Sequence, residues 1–449
     1  MESDRGGVMM AIPGGFGLRA GVMATAMAAL LMGCAEPEEI LRGPREDIRA
    51  EARGGEFENR SVAISLPRVV TNTAWQQSPG QPTTRTAHAA LSAAPALVWS
   101  TNIGAGDSRK QRITAAPVVG GGRIYTLDAA STVSAVSPAG AVLWQHTIEP
   151  ASDDADDATG GGIAYADGVL YVSSGFGVLS ALDAKTGAPV WRQELDATGS
   201  GSPTIRDGLL YLVAGDDTAW VIDTKDGRIA WQLEATPSAS NILGAPAPVV
   251  GSEISIFAFG SGDLIGTFRR GGFRRWIASV SGARTGSAIS QIGDVTGAPF
   301  MDGNRVYVGN QSGRTAAFDV ASGDRLWTAF EGTFGPVWAT GGSLFFVSDR
   351  SQLMRLSAND GSPIWSVDLP GYLKDKPRKR AEIVAHHGPI LAGGQLVVAS
   401  NDGLLRFFDP VDGRQTRTVE IKGGATTEPV VANGTLYVVT RDGQLAAFR

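Results

Sequence analysis

Few residues in this 449-residue chain combine a reactive type with a spacing that chemistry could use. The acidic run Asp153-Asp154-Ala-Asp156-Asp157 is the best candidate for a cation site. It lacks the alternating ligand positions and the glycine of a calcium loop, so it reads as a solvated loop between strands. The four histidines, His88, His146, His386 and His387, fall in no metal-binding spacing. His386 and His387 open a strand, where neighbours point to opposite faces. Gly160-Gly161-Gly162 precedes no helical pattern, so no helix dipole stands behind it to hold a phosphate. A single cysteine, Cys34, excludes a disulfide framework, a multi-cysteine zinc site and an iron–sulfur cluster. The net charge of −6 argues against a nucleic-acid binder, which needs a concentrated basic face. One basic stretch stands out, Lys374-Asp-Lys376-Pro-Arg378-Lys379-Arg380. It is either a solvated loop or a patch for anionic lipid head groups or an acidic partner. No catalytic set, cofactor or metal site is expected.

The elements that would position any site begin well into the chain. Residues 1–33 carry Arg5 and Arg19 and then an apolar run from Ala20 to Met32, too short at 1.5 Å per residue to cross a ~30 Å hydrocarbon core. They read as a secretory signal. The run ends Leu31-Met32-Gly33-Cys34, which resembles the bacterial lipobox and implies that Cys34 takes a lipid and begins the mature chain. Ala35 in place of Asp implies sorting to the outer membrane. Residues 34–94 follow as a tether and strap. The stretch 35–60 holds eight acids and five arginines with little apolar periodicity, and Trp75 is the one large anchor of the strap beyond it.

From residue 95 to 449 one unit recurs. Its clearest copies are Asp183-Ala-Lys-Thr-Gly187-Ala-Pro-Val-Trp191, Asp223-Thr-Lys-Asp-Gly227-Arg-Ile-Ala-Trp231 and Asp319-Val-Ala-Ser-Gly323-Asp-Arg-Leu-Trp327. Gly140 and Trp144, Gly272 and Trp276, and Gly361 and Trp365 repeat the glycine–tryptophan spacing; after Gly413 the tryptophan place is taken by Arg417. The strand that opens each unit recurs eight times, from Tyr125 to Tyr437, with a period of about 45 residues. This explains the 59 glycines, roughly twice the usual share. The period and the alternating strands predict an all-β protein, an eight-bladed β-propeller with four antiparallel strands per blade. The last unit stops after its third strand, and Trp99 lies on a strand with no repeat upstream. Pairing the two ends closes the eighth blade and removes the exposed edges.

The Asp-x-x-x-Gly-x-x-x-Trp unit resembles the pyrroloquinoline-quinone-type repeat. Two exported families use eight such blades, the quinoprotein alcohol dehydrogenases and the BamB lipoproteins of the β-barrel assembly machinery. The chain is more similar to the second, because it has a lipobox, a short tether and one propeller, and no cysteine after Cys34. That resemblance implies a non-catalytic, lipid-anchored scaffold on the periplasmic face of the outer membrane, binding the barrel-inserting subunit and unfolded client proteins by strand addition. It also locates two partner loops. In Pro237-Ser238-Ala239-Ser240-Asn241-Ile242-Leu243-Gly244, either Ile242 or Leu243 offers the apolar contact, and the arginine of the family is missing. In Gly293-Asp294-Val295-Thr296, Asp294 matches the first aspartate of the family's Asp-Val-Asp and Thr296 replaces the second. Asp294 either meets the partner or caps a turn. The alternatives are an enzyme or sensor holding pyrroloquinoline quinone in the central funnel, and a periplasmic interaction module outside that machinery.

Overall fold

A computed structural model describes residues 57–79, 85–148, 158–195, 197, 201–238, 245–280, 282, 284 and 294–449. Among them lie eight four-stranded antiparallel sheets, the propeller expected from the repeat. Blades 1 to 7 are built from consecutive strands spanning 118–147, 161–194, 204–234, 249–279, 300–329, 338–368 and 386–420. Blade 8 takes three strands from 430–448 and its outermost strand, Leu97–Asn102, from the other end of the chain. That strand pairs antiparallel with Gln444–Phe448, from Leu97 opposite Phe448 to Asn102 opposite Gln444. Ala96 and Arg449 exchange two further backbone bonds of 2.9 Å, so the ring closes by pairing its own ends.

The repeated residues make the seams between blades. In each Asp-x-x-x-Gly turn the carboxylate caps the backbone: Asp183 Oδ1 accepts from the Lys185 and Thr186 amides at 3.0 and 2.7 Å. These bonds, led by the Thr186 hydroxyl, hold the Asp183 carboxyl below its ordinary value. The glycine has positive φ, +76° at Gly187, and is also pressed by a neighbour. A Cβ there would lie 2.6 Å from the ring of Trp144 in the preceding blade. The same contact recurs for Trp99 on Gly140, Trp191 on Gly227, Trp231 on Gly272, Trp276 on Gly323, Trp327 on Gly361 and Trp365 on Gly413. Glycine thus serves the turn and the packing at once.

Polar bonds lock the same seams. Trp144 Nε1 donates to the Ala184 carbonyl at 3.2 Å, and the hydroxyl of Tyr125, on the same blade as Trp144, donates to that carbonyl at 3.0 Å. Tyr171 with Trp191 and Tyr307 with Trp327 repeat the double donation. Blade 6 has Phe345 in the tyrosine position, and there a guanidinium substitutes: Arg355 Nη1 reaches the Pro410 and Val411 carbonyls at 3.2 and 3.1 Å.

Residues 57–79 and 85–94 cross the face that carries the Asp-x-x-x-Gly turns. At one end the strap runs beside the outer strand of blade 6, with Arg60 N donating to Ile364 O and the Asn59 amide exchanging two 2.9 Å bonds with the Ser366 backbone. The buried Arg355 also donates to the Val62 carbonyl at 2.6 Å. Farther on, Trp75 exchanges two 2.8 Å backbone bonds with Val119 of blade 1 and stacks on Trp338 of blade 6, ring centroids 6.2 Å apart. Gln77 Oε1 accepts from the Ile205 amide of blade 3, and Arg85 lies over the rings of Phe300 and Trp338. The strap therefore touches blades on opposite sides of the ring and covers this mouth of the channel.

Candidate functional site

Among the described residues the other mouth is open, a funnel of about 1020 Å³ whose floor includes Trp75, Gln77, Ser78 and Pro79 of the strap. Its wall follows from a second repeat. A small residue and a proline precede the inner strand in five blades, at Ala116-Pro117, Ser202-Pro203, Ala247-Pro248, Ala298-Pro299 and Gly335-Pro336, and in blade 7 the pair Gly388-Pro389 sits inside that strand where its register shifts. The first member of each pair faces the funnel. Proline suits the start of an inner strand, where its missing N–H costs no ladder bond. In blade 8 the pair is Glu428-Pro429, which sets a carboxylate in a ring of small residues. Glu428 Oε1 extends toward blade 6, 3.3 Å from where a Cβ on Gly335 would stand. Desolvation pushes its carboxyl up to about 7. His387, also in the wall, is driven by burial down to about 4, and burial lowers His386 as well. His386 is fixed by Ser400 Oγ at 2.7 Å and the Pro370 carbonyl at 2.9 Å.

A charge network ties the rim between blades 4, 5 and 6. Arg284 donates to both oxygens of Asp349, at 3.0 and 3.2 Å, and to Glu331 at 3.1 Å. Arg350 closes the network on Glu331 with bonds of 2.9 and 2.8 Å. Such a bidentate pair fixes geometry as well as charge.

The partner residues expected from sequence fall in different places. Asp294 lies in the funnel wall and is only 3 % exposed. Beside it, Val295 bridges to Asn310 and Thr296 Oγ1 donates to the Thr333 carbonyl at 2.8 Å. An ionised aspartate could not make that bond, which gives Thr296 its own role. Ile242, Leu243, Cys34 and the acidic run 153–157 lie outside the described residues. The basic stretch forms an exposed finger at the rim, where Tyr372 bridges to Ile383 and Arg380 pairs with Asp375 at 2.8 Å. Among the described residues, no group of three or more His, Cys, Asp or Glu is placed to hold a metal ion. Sequence reasoning missed Glu428, although its place in the residue–proline repeat marks it, and the Arg284 network, which no local pattern signals.

The fold is shared with several solved structures. BamB from Moraxella catarrhalis superposes with a TM-score of 0.65 at 19% identity, covering 79% of this chain and all of that one. A quinohemoprotein alcohol dehydrogenase from Comamonas testosteroni gives 0.62 at 14% identity, covering 84% and 80%. The funnel does not suit the cofactor of such dehydrogenases. Pyrroloquinoline quinone is a tricarboxylate, and among the described residues the charged groups lining this funnel are five acids and one arginine. In sequence, the outer membrane protein assembly factor BamB of Salmonella typhimurium is 28% identical over 359 residues, 79% of this chain and 88% of its own length. The Yersinia pestis protein of the same name is 23% identical over 362 residues. A profile of the family described as outer membrane protein assembly factor BamB matches residues 129–367 and 373–449, and this chain belongs to that family.

Proposed function

We propose that this chain is a non-catalytic scaffold of outer-membrane protein assembly, held to the periplasmic face of the outer membrane by lipid on Cys34. Its partner is the barrel-inserting subunit, and unfolded clients are further candidates. The observation that carries this reading is the family match running through blades 1 to 8 on a ring whose one face is covered by the strap. The open rim is then the docking face; Asp294 lines it, and Ile242 and Leu243, outside the described residues, are the candidates for the apolar contact. The enzyme reading rests on shared fold alone, which does not carry function.

The test is affinity purification from membranes with the full chain, the Asp294→Asn variant and the Asp294→Arg variant. Asp294→Asn keeps the shape and removes the charge; Asp294→Arg adds a repulsive one. The unaltered chain is expected to recover the barrel-inserting subunit, Asn to weaken recovery and Arg to reduce it more than ten-fold, all with melting temperatures checked. Full recovery by a folded Asp294→Arg variant overturns the role of Asp294. Failure of the unaltered chain to recover that subunit overturns the scaffold reading.

A further inference from the structure

The funnel is acidic by more than Glu428. Its lining carries Asp217, Asp294, Asp349, Asp368 and Glu428 against Arg350. Several of these acids are engaged. Asp217 accepts from the Ser238 and Gly260 amides at 2.9 and 2.8 Å, Asp349 is held by Arg284, and Asp368 accepts from Gln352 at 2.8 Å. Glu428 has no hydrogen bond or ion pair with any described residue. Its carboxylate is nonetheless given room by Gly335, where a Cβ would stand 3.3 Å from Oε1. Glu428 is partly exposed to the funnel, and a carboxylate held beside apolar walls without a protein partner favours a cation that meets it. Apolar walls and one sign of charge also concentrate counter-ions in a cleft.

We infer that the funnel is a binding site for an alkylammonium group, with the Glu428 carboxylate as its counter-charge and the small-residue ring and Trp75 around its methylene stem. Two sources share that chemistry, a free aliphatic amine and a lysine side chain of an extended polypeptide. The counter-charge is Glu428, so the inference does not rest on Asp294 meeting a partner, although Asp294 lines the same funnel. It also predicts a pH dependence. The cation needs ionised Glu428, whose carboxyl titrates near 7, so affinity rises as the pH climbs through 7 and falls about ten-fold per unit below it. The other groups on the neighbouring wall do not produce this profile. His387 is lowered to about 4, burial lowers His386 as well, and Asp349 and Arg350 are tied into the rim network.

The test is calorimetric titration of the full chain at low salt and pH 8. The probes are 1,5-diaminopentane and N-acetyl-lysine methylamide, with 1-pentanol as the neutral control. Both ammonium probes are expected to bind at least ten-fold more tightly than the alcohol, and Glu428→Gln to remove that advantage while its melting temperature holds or rises. Tighter binding of the diamine assigns a free amine as the source; tighter binding of the lysine derivative assigns a polypeptide. Equal affinity of Glu428→Gln and the unaltered chain for both probes, or no binding of either at millimolar concentration, overturns the inference.

Discussion

Seven seams of this ring set a tryptophan on a glycine, and the eighth, between blades 7 and 8, does neither. The tryptophan of one blade packs on the glycine of the next blade's turn between third and fourth strands. In blade 8 that turn does not exist, because the third strand ends at Phe448 and the fourth starts at Leu97. A tryptophan at 417 would have no glycine to meet, and the residue there is an exposed arginine. This seam relies on apolar packing nearer the axis, where Leu405 and Phe407 of blade 7 share one continuous core with Leu436, Tyr437 and Leu445 of blade 8. The missing tryptophan is thus a consequence of how the ring closes.

The sharpest way to break this comparison is at Trp365, fully buried between blades 6 and 7. It packs against Phe345, donates to Pro410 O at 3.3 Å and covers Gly413. Trp365→Ala should lower the free energy of unfolding in urea by about 3–5 kcal/mol, the usual range for deleting a buried tryptophan. A loss below about 1 kcal/mol would mean that the seams are held elsewhere.

Arg355 tests the same seam with a smaller effect. It is buried without a carboxylate, and its donors go to Ser343 Oγ and to carbonyls of blade 7 and the strap. Arg355→Met removes the charge but orphans those carbonyls, for an expected loss of about 2 kcal/mol. Because Val62 O is one of them, limited proteolysis should cut residues 57–66 faster in the variant. Unchanged cutting there would show that the Asn59 and Arg60 pairing with blade 6 holds the strap alone.

How far the sequence was legible follows from what repeats. The glycine–tryptophan spacing, the eight openings and the orphan strand around Trp99 are periodic, so they fix the blade count and the closure without coordinates. Arg417 was visible as a departure, but its meaning needed the knowledge that tryptophan and glycine meet across blades. Glu428 was equally visible beside Pro429. The role of Glu428 shows only in the folded ring, where the residues before the repeated prolines converge on one funnel. The strap has no period at all. Its docking depends on single contacts, such as Trp75 on Trp338 and Arg85 over Phe300, that only the folded ring brings together.

The smallest effect is expected at Arg417 itself. Its strand, Gln415–Glu420, is exposed at nearly every position, and the strand pairing of Arg417 with Phe407 runs through backbone that any side chain retains. Arg417→Ala should therefore change the unfolding free energy by no more than about 0.5 kcal/mol. Arg417→Trp restores the repeat in sequence, but it faces a seam with no glycine turn, so the ring has nothing to cover and no carbonyl positioned to accept from its indole. It should gain no stability in the same urea titration. A gain of 1 kcal/mol or more would mean that tryptophan contributes within its own blade, and that the absent turn is not what released position 417.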